Sequence, residues 1–282
     1  MGESRDELQQ MLQAIEEWER EQKDLSIFEK IGRLPFALLD RFTPKGIQNK
    51  IAELLDELGG YLHTGGSYLI QKKSILQKLR AKWAEEDPVS LAASTAQGNP
   101  LDLLAVKQMP LALSNTVADS IRESNKKVAF AQGATTGFGG IFTLAVDIPA
   151  VLGIALKVLQ ETAICYGFDP DDPRERLFIV KCMQFTMSDI VGKQAVLQDI
   201  GDYDNPNRLR DSVSEVQGWR ETMVSFTDNF GWKKLFQSVP VIGMIFGSFM
   251  NRSMIHDMAE TAQMLYRKRA VLERLNAQDD CC

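Results

Sequence analysis

The sequence predicts an all-α protein, a helical bundle built around a central glycine-rich apolar hairpin. Three observations carry that prediction. Apolar residues recur three and four apart along much of the chain, as at Leu8, Met11, Leu12 and Ile15. No segment shows the sustained two-residue alternation of a half-buried strand. The stretch from Ala129 to Gly167, AFAQGATTGFGGIFTLAVDIPAVLGIALKVLQETAICYG, is far more apolar than its surroundings. Between Lys127 and Lys157 the one charged side chain is Asp147.

The elements follow in order. Ser4 and Glu7 form a capping box in front of the first apolar stripe, which predicts a helix running to about Lys23. Ser26 with Glu29 repeats the signal before a shorter segment broken at Pro35. Thr43-Pro44 opens a further helix, with Ile47, Ile51, Leu54, Leu55 and Leu58 on one face and Gly59-Gly60 at its end. Another runs through Leu69, Ile75, Leu76 and Leu79 towards Trp83. Residues 1–84 are therefore expected to form an N-terminal helical extension. Residues 85–100, EEDPVSLAASTAQGNP, are rich in small and turn-forming residues and suggest a linker. The main helical domain is expected over 101–276, with a short tail at 277–282.

In the main domain, Leu111 to Lys127 predicts a helix leading into the apolar stretch. That stretch is long enough to cross a bilayer, which takes roughly 20 apolar residues. Ten large apolar residues lie between Phe138 and Leu156, and they would contribute about −3 to −6 kcal/mol on insertion. Asp147 would cost about 2.5–3.5 kcal/mol, and glycine and proline add to that. The sum is near zero, so a single span is marginal. A break at Asp147-Ile148-Pro149 fits better, with Asp147 as N-cap and Pro149 in the first turn of the second arm. Each arm is then short of a full crossing. The hairpin either lies buried between other helices or touches the membrane.

Small residues at Gly133, Gly137, Gly140 and Gly153 suit close helix packing, Gly133 and Gly137 being a small-xxx-small pair. After Gly167, Asp172-Pro173 signals a new helix through Leu177, Phe178, Met183, Ile190 and Leu197. GDYDNPN at 201–207 is a solvated turn; its acids lack the spacing of a Ca²⁺ loop. A second apolar segment, Leu235 to Met250, repeats the pattern of the first, with Pro240 followed by Gly243 and Gly247. A last amphipathic helix is expected from about Asn251 to Asn276.

Composition narrows the function classes. The chain has 282 residues, 44% hydrophobic and 25% charged, with a net charge of −6, which argues against general nucleic-acid binding. Its 2 histidines leave little for acid–base chemistry or metal ligation. Cys165 and Cys182 sit in apolar helical contexts, and Cys281-Cys282 closes the chain. The N-terminus is charged and polar, unlike a signal peptide, so the expected location is the cytoplasm, peripheral on the cytoplasmic membrane.

No catalytic constellation, metal-ligand spacing, phosphate loop or cofactor fingerprint is evident, and none is expected. His256, Asp257 and Glu260 share one helix and read as a solvated face. Asp147 and Glu161 are the acids embedded in the apolar region. Asp147 is best explained as a cap and Glu161 as facing a polar groove or a nearby base, with a functional carboxylate as the sharper alternative. Lys126-Lys127 and Lys233-Lys234 flank the two apolar segments and suit anionic lipid headgroups at about 1 kcal/mol each.

The chain resembles the EcsC family of bacterial proteins. The resemblance rests on Gly133-Ala134-Thr135-Thr136-Gly137 with Gly139-Gly140, on Asp147-Ile148-Pro149, and on Tyr166-Gly167-Phe168-Asp169. It continues through Pro173-Arg174-Glu175-Arg176 and Val239-Pro240-Val241-Ile242-Gly243 with Asn251. It covers about residues 75 to 275. The resemblance implies a membrane-associated helical protein linked to ABC-type export, with no catalytic residues to carry over. The expected role is a non-enzymatic accessory protein whose partners are a membrane surface or lipid and a transporter subunit. The alternatives are a lipid or hydrophobic-ligand binder with a cavity between the apolar hairpins, then a lipid or peptide hydrolase.

Overall fold

A computed structural model describes residues 3–24, 60–61, 64–66, 69–95, 101–136, 144–187, 190–201 and 240–279. At 23–24, 135–136, 144–149, 187, 190–192, 199, 201 and 240–250 it describes the backbone alone. All regular structure among these residues is helical. The helices are α1 (Arg5–Asp24), α2 (Lys72–Glu86), α3 (Pro88–Ser94), α4 (Leu103–Gln108) and α5 (Leu111–Thr136). Then come α6 (Leu144–Cys165), α7 (Pro173–Met187), α8 (Ile190–Gly201) and α9 (Pro240–Asp279).

Local chemistry sets many helix starts. At α1 the Ser4 amide donates to Glu7 Oε2 at 2.8 Å while the Glu7 amide donates to Ser4 Oγ at 3.3 Å, the reciprocal pair expected of a capping box. Those hydrogen bonds from Ser4 hold the exposed Glu7 carboxyl below its ordinary range. At α7 the Asp172 carboxylate accepts from the Arg174 amide at 2.8 Å, and Pro173 takes the first helical position. The stretch 85–100, where the sequence suggests a linker, contains α3: Asp87 accepts from the Ser90 amide at 3.0 Å and Pro88 follows it.

The core forms where α6 passes between its neighbours. α6 packs on α5, α9, α2 and α7, and α9 packs on α5, α1 and α7. From Ala155 to Phe168 every residue of this region is buried except the half-buried Lys157. A helix apolar on all sides needs such a cover. Burying Val158, Leu159 and Ile164, each wholly enclosed, stabilises by about 1.5–3 kcal/mol apiece. Among the described residues no helix is long and apolar enough to cross a membrane.

Four expectations change. The helix of the second hairpin arm is already under way at Leu144 and passes through Asp147, Ile148 and Pro149, so the break does not fall there. Asp147 lies inside the helix rather than at its N-cap. Within a helix a proline removes one ladder bond and crowds the carbonyl four residues back, and α6 continues past Pro149 despite that cost. The helix expected over Leu111 to Lys127 runs on into the glycine-rich stretch, to Thr136. α5 and α6 run antiparallel, since Asn115 meets Tyr166 and Asn125 meets Glu161. The second apolar segment is no hairpin from Pro240 onward: it continues without interruption into the last helix as one element of 40 residues, about 60 Å long at 1.5 Å per residue. Finally, the helix expected through Leu177 and Leu197 is two, α7 and α8.

Candidate functional site

Glu161 lies on the α5–α6 face. Its carboxylate accepts from Asn125 Nδ2 at 2.9 Å and pairs with Lys157 Nζ at 2.8 Å, one turn back on α6. Lys157 also donates to Asn125 Oδ1 at 3.1 Å, and Asn125 Nδ2 bonds the Ile121 carbonyl. The three side chains form a closed set, so the buried charge is met on both oxygens. Asn125, which sequence reasoning missed, completes it. Its only signal is a polar residue on the apolar face of an otherwise regular helix. The side chains of Asp147 and Pro149 lie outside the described part of the structure.

The small residues divide. Gly133 is buried in the last turn of α5. Beside it Gln132 Oε1 accepts from Asn251 Nδ2 of α9 at 2.8 Å. A Cβ on Gly153 would meet nothing within 4 Å among the described residues. Gly137 and Gly140 lie outside the described residues. Gly243 and Gly247 are on the first turns of α9, where only the backbone is described.

The lysines also divide. Lys126 is turned to Glu123, with Nζ–Oε1 at 2.7 Å and 12% of its side chain exposed, so it is not an open headgroup donor. Lys127 is exposed. Around it on α5, Val128 is 51% and Phe130 39% exposed, large apolar side chains facing outward just before the glycine-rich segment. Lys233 and Lys234 lie outside the described residues.

A second polar centre lies where the end of α6, the start of α7 and the middle of α9 meet. α6 ends at Gly167, whose φ of +82° suits glycine. The Gly167 amide donates to the Ile164 carbonyl and the Phe168 amide to the Ala163 carbonyl, both at 3.0 Å, a Schellman closure. A Cβ on Gly167 would lie 2.9 Å from the Leu103 carbonyl oxygen and 3.1 Å from the Lys107 nitrogen, so α4 approaches closely there.

That turn delivers Phe168 to Arg269. The Arg269 guanidinium stands 4.1 Å from the Phe168 centroid and 4.3 Å from that of Phe178. Glu175 grips it through two bonds of 2.7 and 2.8 Å, the bidentate geometry arginine favours. Burial pushes the Tyr266 phenol up, with Glu175 adding to the shift, and its oxygen has no partner. The sequence offered Glu175 within a motif; Arg269 carried no signal, because its partner is 94 residues away.

Other groupings carry less chemistry. Burial pushes the thiols of Cys165 and Cys182 up, so both stay protonated and unreactive. Among the described residues, ligand-type atoms of His256, Asp257 and Glu260 come within 4.8 Å of one another on half-buried to exposed positions of α9. An open groove of about 620 Å³ lies at the far end of α9, between α1, α3 and α4. Arg274 on its wall is already engaged with Glu3 and with the Lys107 and Met109 carbonyls.

A model of the EcsC protein family matches residues 9–271. The chain is 46% identical over 273 residues to an uncharacterized protein, YdbA, of Bacillus subtilis (strain 168), covering 97% of this chain and 96% of that one. It is 27% identical over 237 residues to protein EcsC of the same organism, covering 84% and 89%. No solved structure matches it.

Proposed function

This chain belongs to the EcsC protein family, and from that premise we propose that it is a non-enzymatic accessory protein docking peripherally on the cytoplasmic membrane face. The observation that carries the reading is the exposed turn of α5, where Lys127, Val128 and Phe130 face outward beside the glycine-rich segment. An apolar pair rimmed by a cation suits the boundary of an anionic bilayer. The burial of every residue from Val158 to Phe168 supports docking over the alternative of a ligand cavity between apolar hairpins. A link to ABC-type export, with a transporter subunit as partner, comes from the family resemblance and is the finer part of the proposal.

Vesicle flotation tests it. The full chain should float with vesicles containing about a third phosphatidylglycerol, and less as salt rises. Lys127→Glu should weaken binding roughly fivefold, since one lysine contributes about 1 kcal/mol at such a surface. Val128→Asp should weaken it further. Equal flotation with neutral and anionic vesicles would overturn the reading.

A further inference from the structure

Arg176 is 8% exposed, and its Nε is sealed from solvent with no hydrogen-bond partner. Among the described residues no carboxylate pairs with its guanidinium, because each nearby acid is already used. Glu175 holds Arg269, Asp169 holds Lys72 at 2.7 Å, Asp171 lies 3.8 Å from the same Lys72, and Asp172 caps α7. A buried cation without a counter-charge costs several kcal/mol in general, so a fold that keeps one there calls for an anion from outside.

The neighbours of Arg176 carry unmet hydrogen-bonding groups of their own. Gly65, at φ +82°, lays its backbone against the guanidinium: a Cβ there would stand 3.1 Å from Nη1. Next to it, a Cβ on Gly66 would fall 2.7 Å from Tyr61 Cε2 and 2.9 Å from Gln160 Nε2. The two glycines let the backbone lie directly against the Arg176, Tyr61 and Gln160 side chains. Tyr61 is 2% exposed and its hydroxyl has no partner among the described residues. Burial raises its phenol, so it remains a donor, and the Arg176 charge acts on it directly. Gln160 is wholly buried; its amide nitrogen donates to the Leu156 carbonyl at 3.1 Å, and its Oε1 has no partner.

A guanidinium, a hydroxyl donor and a carbonyl acceptor, each short of a partner among the described residues, thus lie in one neighbourhood on α7, residues 60–61 and 64–66, and α6. We propose that this is a binding site for a phosphate group, with Arg176 as its charge anchor and Tyr61 as a second donor. Two donors and one acceptor on three elements suit a protonated tetrahedral oxyanion better than a planar carboxylate, which takes its bonds in one plane. The Gln160 carbonyl then accepts from a protonated phosphate oxygen. The group is either free phosphate, a soluble phosphomonoester or a lipid headgroup.

Thermal unfolding of the full chain tests this at fixed pH and ionic strength, with chloride as reference. The probes are inorganic phosphate, glycerol 3-phosphate, acetate, and vesicles of phosphatidic acid or phosphatidylcholine. One phosphate-bearing probe should raise Tm saturably by at least about 2 °C, as a ligand of the folded state must. A response to the soluble probes assigns the site to free phosphate or a phosphomonoester. A response confined to phosphatidic acid assigns it to a headgroup. Arg176→Met should be flat to the soluble probes while melting at or above the wild-type temperature in chloride, because it removes a buried charge with no carboxylate partner among the described residues. Tyr61→Phe should fold and need roughly fivefold more probe for half the rise, the loss of one hydrogen bond. The proposal is overturned if no phosphate probe shifts the wild type, if acetate shifts it equally, or if Arg176→Met or Tyr61→Phe responds like the wild type. Because the soluble probes need no membrane, failure here and failure of vesicle docking are separate results.

Discussion

Arg269 and Arg176 lie within one neighbourhood and are buried almost equally, at 6% and 8% exposed. Their surroundings differ in every other respect. Arg269 has a bidentate carboxylate and aromatic faces at 4.1 and 4.3 Å. Arg176 has a glycine backbone, an unpartnered hydroxyl and no carboxylate among the described residues. The first arrangement is complete and can only be structural. The second is incomplete within the protein, and incompleteness is what separates a ligand site from a core ion pair. Burial alone would have classed the two together.

The most severe way to break this comparison is to make Arg269 resemble Arg176. Glu175→Ala should cost about 3–5 kcal/mol, because it strands a charge in a site built around its partner. Denaturant midpoints would measure it. Glu175→Leu combined with Arg269→Met should recover most of the loss, since no charge is left behind. A loss below about 1 kcal/mol in Glu175→Ala would mean that the aromatic rings alone sustain a buried arginine. Arg176 would then need no anion either.

A smaller effect separates the glycines that serve each arginine. Gly167 and Gly65 share a φ of +82°, so alanine is strained at both by about 1–3 kcal/mol. Gly167→Ala also drives its Cβ against backbone, the Leu103 carbonyl oxygen and the Lys107 nitrogen. Gly65→Ala meets the far end of a side chain, Arg176 Nη1, which can give way. Gly167→Ala should therefore lower the melting temperature more than Gly65→Ala. Equal losses would show that backbone strain alone is being measured and that α4 is not held close.

Helix starts were legible in the sequence wherever the capping chemistry is local. Ser4 with Glu7, and Asp172 with Pro173, need only neighbours to act. The same signals misled at Asp147-Ile148-Pro149, where an Asp and a Pro lie inside a helix that has already begun at Leu144. At Asp87-Pro88 they marked a true start, passed over because a helix of seven residues shows too few apolar positions to stand out from turn-forming neighbours. The all-α class followed from periodicity, while the scarcity of charge along α6 left burial and membrane contact both open. Neither arginine's role was legible, since both depend on residues brought together by tertiary packing. Gly65 and Arg176 are distant in sequence, and spacing along the chain cannot report that they touch.

The finest distinction concerns hydroxyls. Tyr166 Oη donates to Asn115 Oδ1 at 2.6 Å, and Tyr166→Phe should cost about 0.5–1.5 kcal/mol for that bond. Tyr266, whose ring stands 5.7 Å from the Arg269 guanidinium, has a hydroxyl without a partner, as Tyr61 has. Removing an unpartnered hydroxyl forfeits no bond and relieves a buried polar group, so Tyr266→Phe should leave stability within about 0.5 kcal/mol or raise it. It should also leave any phosphate response intact, because Tyr266 belongs to the closed arginine's cage. Tyr61→Phe should differ only there, neutral for stability in chloride and weakened in phosphate. Denaturation of the three variants with and without phosphate separates the cases. If Tyr266→Phe and Tyr61→Phe behave alike in phosphate, an orphan hydroxyl is no mark of a site in this fold, and Arg176 must be judged by its charge alone.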